Sequence, residues 1–176
     1  MQQPKPAYQL AGLLEVLRQD ADHVVLTHGN LILLIWRGTP APEACATVYD
    51  LSVDLARKCG KSKVSALSII QPGARAPTAE ARKALARLHD DPAGVVHRSA
   101  LVFPSEGFLG ATIRSIALGI RQLAGRRQGH DVFQRLDKAL AWVTEGLETP
   151  NCRPVPVASL LQALDGFEVS KHSKVA

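Results

Sequence analysis

The chain has 176 residues, a length that makes one domain the default and leaves room for a sizeable core. Hydrophobic residues make up 46% of it and charged residues 21%, which is ordinary globular usage and excludes wholesale disorder, collagen-like repeats and coiled-coil arrays. Lys and Arg total 21 against 16 Asp and Glu, a formal charge of +5 that suits an acidic partner but falls short of a dedicated nucleic-acid binder.

The opening Met1-Gln2-Gln3-Pro4-Lys5-Pro6 is polar and is not a signal-peptide core. Leu10, Leu13, Leu14 and Leu17 stand at helical spacing, which predicts a short amphipathic helix over 9–19 and a helical extension spanning 1–21. Two β-rich runs follow, at 23–27 and 31–36, separated by His28-Gly29-Asn30. Gly and Asn tolerate the positive φ of a tight turn, so the pair reads as an antiparallel hairpin. The second run is apolar on both faces, as in a strand covered on each side. It is far shorter than the roughly 20 residues of a membrane-spanning helix.

From 42 to 58, Ala44, Val48, Leu51, Leu55 and Ala56 recur at helical intervals, and Gly60 follows a terminal Arg57-Lys58 pair, the composition of a helix end. Residues 64–70 read as a strand, Pro72-Gly73 breaks it, and Pro77-Thr78 opens a helix with Ala81, Ala84, Leu85 and Leu88 on one face. Residues 95–103 form the next strand. Leu109, Ile113, Ile116, Ile120 and Leu123 then make a helical stripe expected to face the sheet. A short edge strand is predicted at 131–133, and a helix carrying Leu136, Leu140, Val143 and Leu147 follows. Residues 149–156 form a proline-punctuated linker, 157–164 a small helix, and 170–176 a flexible tail. The expected organisation is an extension at 1–21, an α/β domain at 22–148, and a linker, helix and tail at 149–176.

Each strand after the hairpin is followed by a helix, so the fold class is α/β: a mostly parallel sheet with an N-terminal antiparallel hairpin, covered by about four helices. This order across residues 22–147 resembles the STAS family, the domain shared by anti-sigma-factor antagonists and the cytoplasmic tails of sulfate transporters. The stretches similar to divergent bacterial members are Leu34-Ile35-Trp36-Arg37-Gly38, Ile113-Arg114-Ser115-Ile116-Ala117-Leu118-Gly119, and Val132-Phe133 followed by Ala139-Leu140-Ala141-Trp142. The resemblance implies a non-enzymatic protein-interaction module in cytoplasmic signalling or regulation.

In the best-known members of that family a strand ends in Asp-Ser-Ser-Gly, and a serine at the following helix start is phosphorylated by a partner kinase to switch binding off. This chain has Ile70-Gln71-Pro72-Gly73-Ala74-Arg75-Ala76-Pro77-Thr78 at that place, without the motif. Thr78 is the sole hydroxyl there and so the candidate phosphorylation position, beside Arg75 and Arg82, but ordinary capping of a helix N-terminus accounts for a Thr in that place more simply. The resemblance therefore points to a constitutive interaction surface built from Gln71, Arg75, Thr78, Arg82 and Arg114.

Catalytic signatures are missing. Gly60-Lys61-Ser62 matches the end of a phosphate-binding loop, but Leu55 stands where the first Gly belongs and the triplet follows a helix instead of opening one. Gly-x-Ser-x-Gly, His-Glu-x-x-His and Gly-x-Gly-x-x-Gly are absent. His23, His28 and His97 are spaced too loosely for a metal site and read as turn and strand-end residues. Cys45, near a helix start where a thiolate gains stability, reads more simply as a small buried residue. Neither a cofactor nor a metal is implied, and no residue is assigned a catalytic role. Cys45, Cys59 and Cys152, odd in number and without a Cys-x-x-Cys pair, suit reduced thiols in a cytoplasmic protein.

Arg114, Arg121, Arg126, Arg127, Arg135 and Lys138 gather along the third helix and its exit, opposed by Asp131 and Asp137. A solvated face is the simpler reading, and an acidic-partner surface the sharper one. Phe133 and Trp142 have apolar neighbours and belong in the core, which argues against nucleic acid. The expected partner is a protein, homodimerisation is compatible with the apolar terminal extensions, and membrane insertion is not expected. The alternative is a small-molecule sensor or enzyme using the crevice at the carboxyl ends of the strands, bordered by Gln71, Arg75, Ser105, Glu106 and Arg114.

Overall fold

Leu31–Trp36 is the most apolar run of the chain, and in the computed structural model all six of its residues are buried. A strand of this kind is stable only where helices cover both of its faces. The structure describes residues 12–59, 63–75, 77–90, 94–103, 129–147 and 155–167. Within these, six strands form one sheet in sequential order: β1 (Glu15–Gln19), β2 (His23–His28), β3 (Leu31–Trp36), β4 (Val64–Ile70), β5 (Val96–Val102) and β6 (His130–Phe133). β1, β2 and β3 pair antiparallel, and β3 through β6 pair parallel. The helices are α1 (Pro42–Lys58), α2 (Ala79–Asp90), α3 (Leu136–Thr144) and α4 (Val157–Asp165). None of the described helices is long and apolar enough to cross a membrane.

Alternation along the strands builds two cores. Val24, Leu26, Leu33, Ile35, Leu67, Ile69, Ala100 and Val102 face α3 and α4, which contribute Leu136, Leu140, Val143, Leu160 and Leu164. On the opposite face Val25, Ile32, Leu34, Trp36 and Val64 meet Ala44, Cys45, Val48, Leu55 and Ala56 of α1, and Ala84 of α2 packs against them. A one-residue slip in any central strand would exchange these two sets, so burial on both sides sets the register.

The mixed α/β sheet with its leading hairpin is the architecture that the sequence pattern predicts. The hairpin turns at Gly29, whose φ of 56° lies where an L side chain is disfavoured. Gly129 leads into β6 at φ 150°, and a Cβ there would stand 2.8 Å from the His97 carbonyl oxygen. Only a residue without a side chain lets its carbonyl accept the Ser99 N–H and begin the parallel pairing of β6.

One element departs from expectation. The helix predicted over 9–19 is, in its described part, a turn at 12–14 followed by β1. Gly12 has φ 106°, outside the helical region. A bulge between Val16 and Arg18 inserts Leu17 as an extra residue, so Leu13 and Leu14 pack on one core and Leu17 on the other. The 3.6-like leucine spacing is thus produced by a turn and a bulged strand. The open edge of β2 offered backbone partners that a short isolated helix lacks. The predicted helix spanning Leu109 to Leu123 lies outside the described residues.

The segment beyond the proline linker packs back onto the sheet. Leu160 and Leu164 are buried in the core, with Val155, Val157, Leu161 and Phe167 packed around them.

Candidate functional site

Strands β3 to β6 run in one direction, so their carboxyl ends share one end of the sheet, where open parallel sheets place binding surfaces. Arg37 and Gly38 follow β3 there, residues 71–75 follow β4, and α1 and α2 begin there. The β1–β2 turn reaches the same end because those strands run antiparallel. The backbone ties these loops together. Arg37 and Gly38 donate their N–H groups to the Asp22 carbonyl at 2.7 and 3.0 Å, Gln71 donates to the Trp36 carbonyl at 2.9 Å, and Ala74 to the Gln71 carbonyl at 2.9 Å.

The predicted rim residues have distinct duties. The Gln71 side chain is half-buried, and its Nε2 donates to the Phe167 carbonyl at 3.3 Å, fastening the loop after β4 to the end of α4. Thr78 Oγ1 accepts the Ala81 N–H at 3.2 Å, and its carbonyl accepts from Arg82 N at 2.9 Å. That geometry makes Thr78 the N-cap of α2. Arg75 and Arg82 are exposed. The structure therefore brings Gln71, Arg75, Thr78 and Arg82 onto one rim, while Arg114, Ser105 and Glu106 lie outside the described residues, as do Arg121, Arg126 and Arg127.

The neighbouring β1–β2 turn contains a polar cluster with a subtler sequence signal. Asp20 Oδ1 lies 2.9 Å from the N–H groups of Asp22 and His23, which it accepts, and 2.9 Å from His23 Nδ1. An Asp just before a strand that binds N–H groups two and three residues on is an Asx turn, and the Asp-x-x-His spacing was its legible sign. Partial burial pushes the Asp20 carboxyl up, but these hydrogen bonds and the charges of His23 and Arg18 outweigh it and hold the group below the usual carboxylate range. His23 is 2% exposed, with its ring 5.5 Å from that of Trp36.

The remaining candidate chemistry is structural. Burial pushes the Cys45 thiol up to about 11, which keeps it protonated and unreactive near neutral pH. His28 Nδ1 lies 2.8 Å from the Leu13 carbonyl oxygen. β3 and β4 separate the strand of His23 and His28 from that of His97, so these histidines do not meet. Among the described residues no three His, Cys, Asp or Glu side chains form a group able to hold a metal ion.

Of the basic cluster predicted around the third helix, Arg135 is paired with Asp137, Nε to Oδ1 at 3.0 Å and Nη2 to Oδ2 at 2.7 Å. That two-pronged bond raises the arginine and lowers the carboxyl. Phe133 and Trp142 pack against the α3 core as predicted, their ring centroids 5.6 Å apart. The Arg98 guanidinium lies 5.0 Å over the Trp142 ring and donates to the Trp142 carbonyl at 2.6 Å and to Glu145 at 2.7 Å, which locks β5 to the end of α3.

No family model matches the chain, and no curated protein matches it in sequence. A solved structure from Shewanella loihica PV-4, described as an uncharacterized protein from the DUF3478 family with a SpoIIAA-like fold, is 14% identical to it. The alignment covers 74% of this chain and 91% of that chain, with a TM-score of 0.46.

Proposed function

We propose that the chain is a non-enzymatic protein-interaction module of the STAS type that works in regulation and docks its partner on the rim formed by residues 71–78 and the first turns of α2. The carrying observation is how the rim side chains are employed. Its potentially reactive groups serve the fold: Thr78 caps α2, Gln71 holds the Phe167 carbonyl, and Cys45 beneath is buried with a raised pKa. Among the charged side chains that face solvent there, Arg75 and Arg82 suit recognition by charge and hydrogen bonding. Because Thr78 caps the helix, this reading needs no phosphorylation there.

The test is site-specific photo-crosslinking in the host cell, with the reactive side chain placed at Ala79 on the exposed start of α2 and, as a control, at the exposed Asp54 of α1. A discrete protein adduct from position 79 and none from position 54 is the expected result. If position 79 yields no adduct while a metabolite raises the melting temperature of the purified protein, the crevice binds a small molecule and the interaction reading fails.

A further inference from the structure

We infer that the rim is made to receive an acidic segment of a partner protein, a refinement that rests on the interaction reading above. The arginines of the described residues divide into paired and unpaired groups. Arg18 is 3.8 Å from Asp20, Arg57 is 3.1 Å from Asp54, Arg98 is 2.7 Å from Glu145, and Arg135 is 2.7 Å from Asp137. Among the described residues Arg37, Arg75 and Arg82 have no ion-pair partner, and all three stand at the carboxyl end of the parallel strands. Arg37 follows β3, Arg75 lies in the loop after β4, and Arg82 is on the first turns of α2 beside the exposed Lys83. The loops carrying the first two are adjacent, for a Cβ on Gly73 would lie 3.5 Å from the Arg37 carbonyl oxygen.

The local acids decide the kind of partner. Asp20 is held by His23 and by its own turn, and Asp22, Glu43 and Glu80 are exposed at the same end. The rim is therefore a mixed pattern and not a uniform cationic field. A continuous phosphate backbone would cross those carboxylates and be repelled by them. Separate Asp or Glu side chains, spaced by neutral residues, reach single guanidinium groups and bind each through two parallel hydrogen bonds. None of the exposed rim residues is aromatic, so the rim supplies no stacking platform for bases.

The experiment titrates the full chain, isotopically labelled for amide NMR, with a short peptide of alternating Glu and Ser, with its Gln-Ser counterpart, and with an oligothymidylate of equal charge. The Glu-Ser peptide should shift the amides of Arg37, Gln71, Arg75 and Arg82, and the Gln-Ser peptide should not. Arg75→Glu/Arg82→Glu, or the milder Arg75→Gln/Arg82→Gln should the reversal unfold, should weaken Glu-Ser binding tenfold or more, whereas Arg57→Glu/Arg135→Glu should change it less than twofold. Absence of rim shifts, equal loss in the control variant, or tighter binding of the oligothymidylate at the rim would each overturn the inference. A position 79 adduct together with a flat Glu-Ser titration removes the acidic partner and leaves the interaction reading standing, whereas no adduct removes the reading itself.

Discussion

At the scale of single residues, the rim is organised by short polar side chains that satisfy backbone groups. Thr78 closes α2, and Asp20 closes the β1–β2 turn. Because the Asp20 carboxyl is held below its ordinary range, the folded state binds its proton less readily than the unfolded chain does. Its contribution to stability is complete above the unfolded pKa of about 4 and is lost as pH falls through the lower folded value. Asp20→Asn should therefore melt below the parent protein at pH 6, with the gap narrowing as pH drops below about 4. A gap that stays constant over that range, followed by thermal unfolding, would show that the charge on Asp20 contributes nothing. The sequence announced Thr78 by its place after Pro77. Asp20 was less visible because an Asx turn depends on where the chain goes three residues later.

At the scale of elements, apolar spacing located every described helix and all the strands but one. α1 and β4 have the boundaries that the pattern predicts, since long apolar periodicity and Gly or Pro punctuation mark their ends unambiguously. The segment of β1 reads as a helix because four leucines in eight residues match helical spacing, whereas the structure distributes Leu13, Leu14 and Leu17 over two cores by means of a turn and a bulge. Pairing with β2 is a long-range effect that local periodicity does not encode. The same holds for α4, whose pattern was plain but whose destination was not. Leu164 is fully buried, so Leu164→Ala should cost about 2–5 kcal/mol, the range for emptying a leucine site in a core. A change under about 1 kcal/mol in urea denaturation would mean that α4 is not part of the cooperative structure.

At the scale of the whole molecule, two cores share one set of strands, and Trp36 reports on one of them while Trp142 packs against the other. Because neither core survives loss of the sheet, both should disappear in a single transition. Trp142→Phe leaves the α1 side to be read by Trp36, and Trp36→Phe leaves the α3 side to Trp142. Within each variant, tryptophan fluorescence and far-ultraviolet circular dichroism should give coincident denaturation midpoints. Separate midpoints would mean that the two layers unfold independently. What the sequence by itself determined was the α/β class and the order of the described strands and helices after the hairpin, because these follow from periodicity and turn chemistry within short windows. Only the tertiary structure decided that residues 15–19 extend the sheet, that α4 completes a core through Leu160 and Leu164, and that Arg37, Arg75 and Arg82 stand together without ion-pair partners among the described residues. Those outcomes depend on backbone pairing and side-chain proximity between segments tens of residues apart, and local pattern carries no information about such distances.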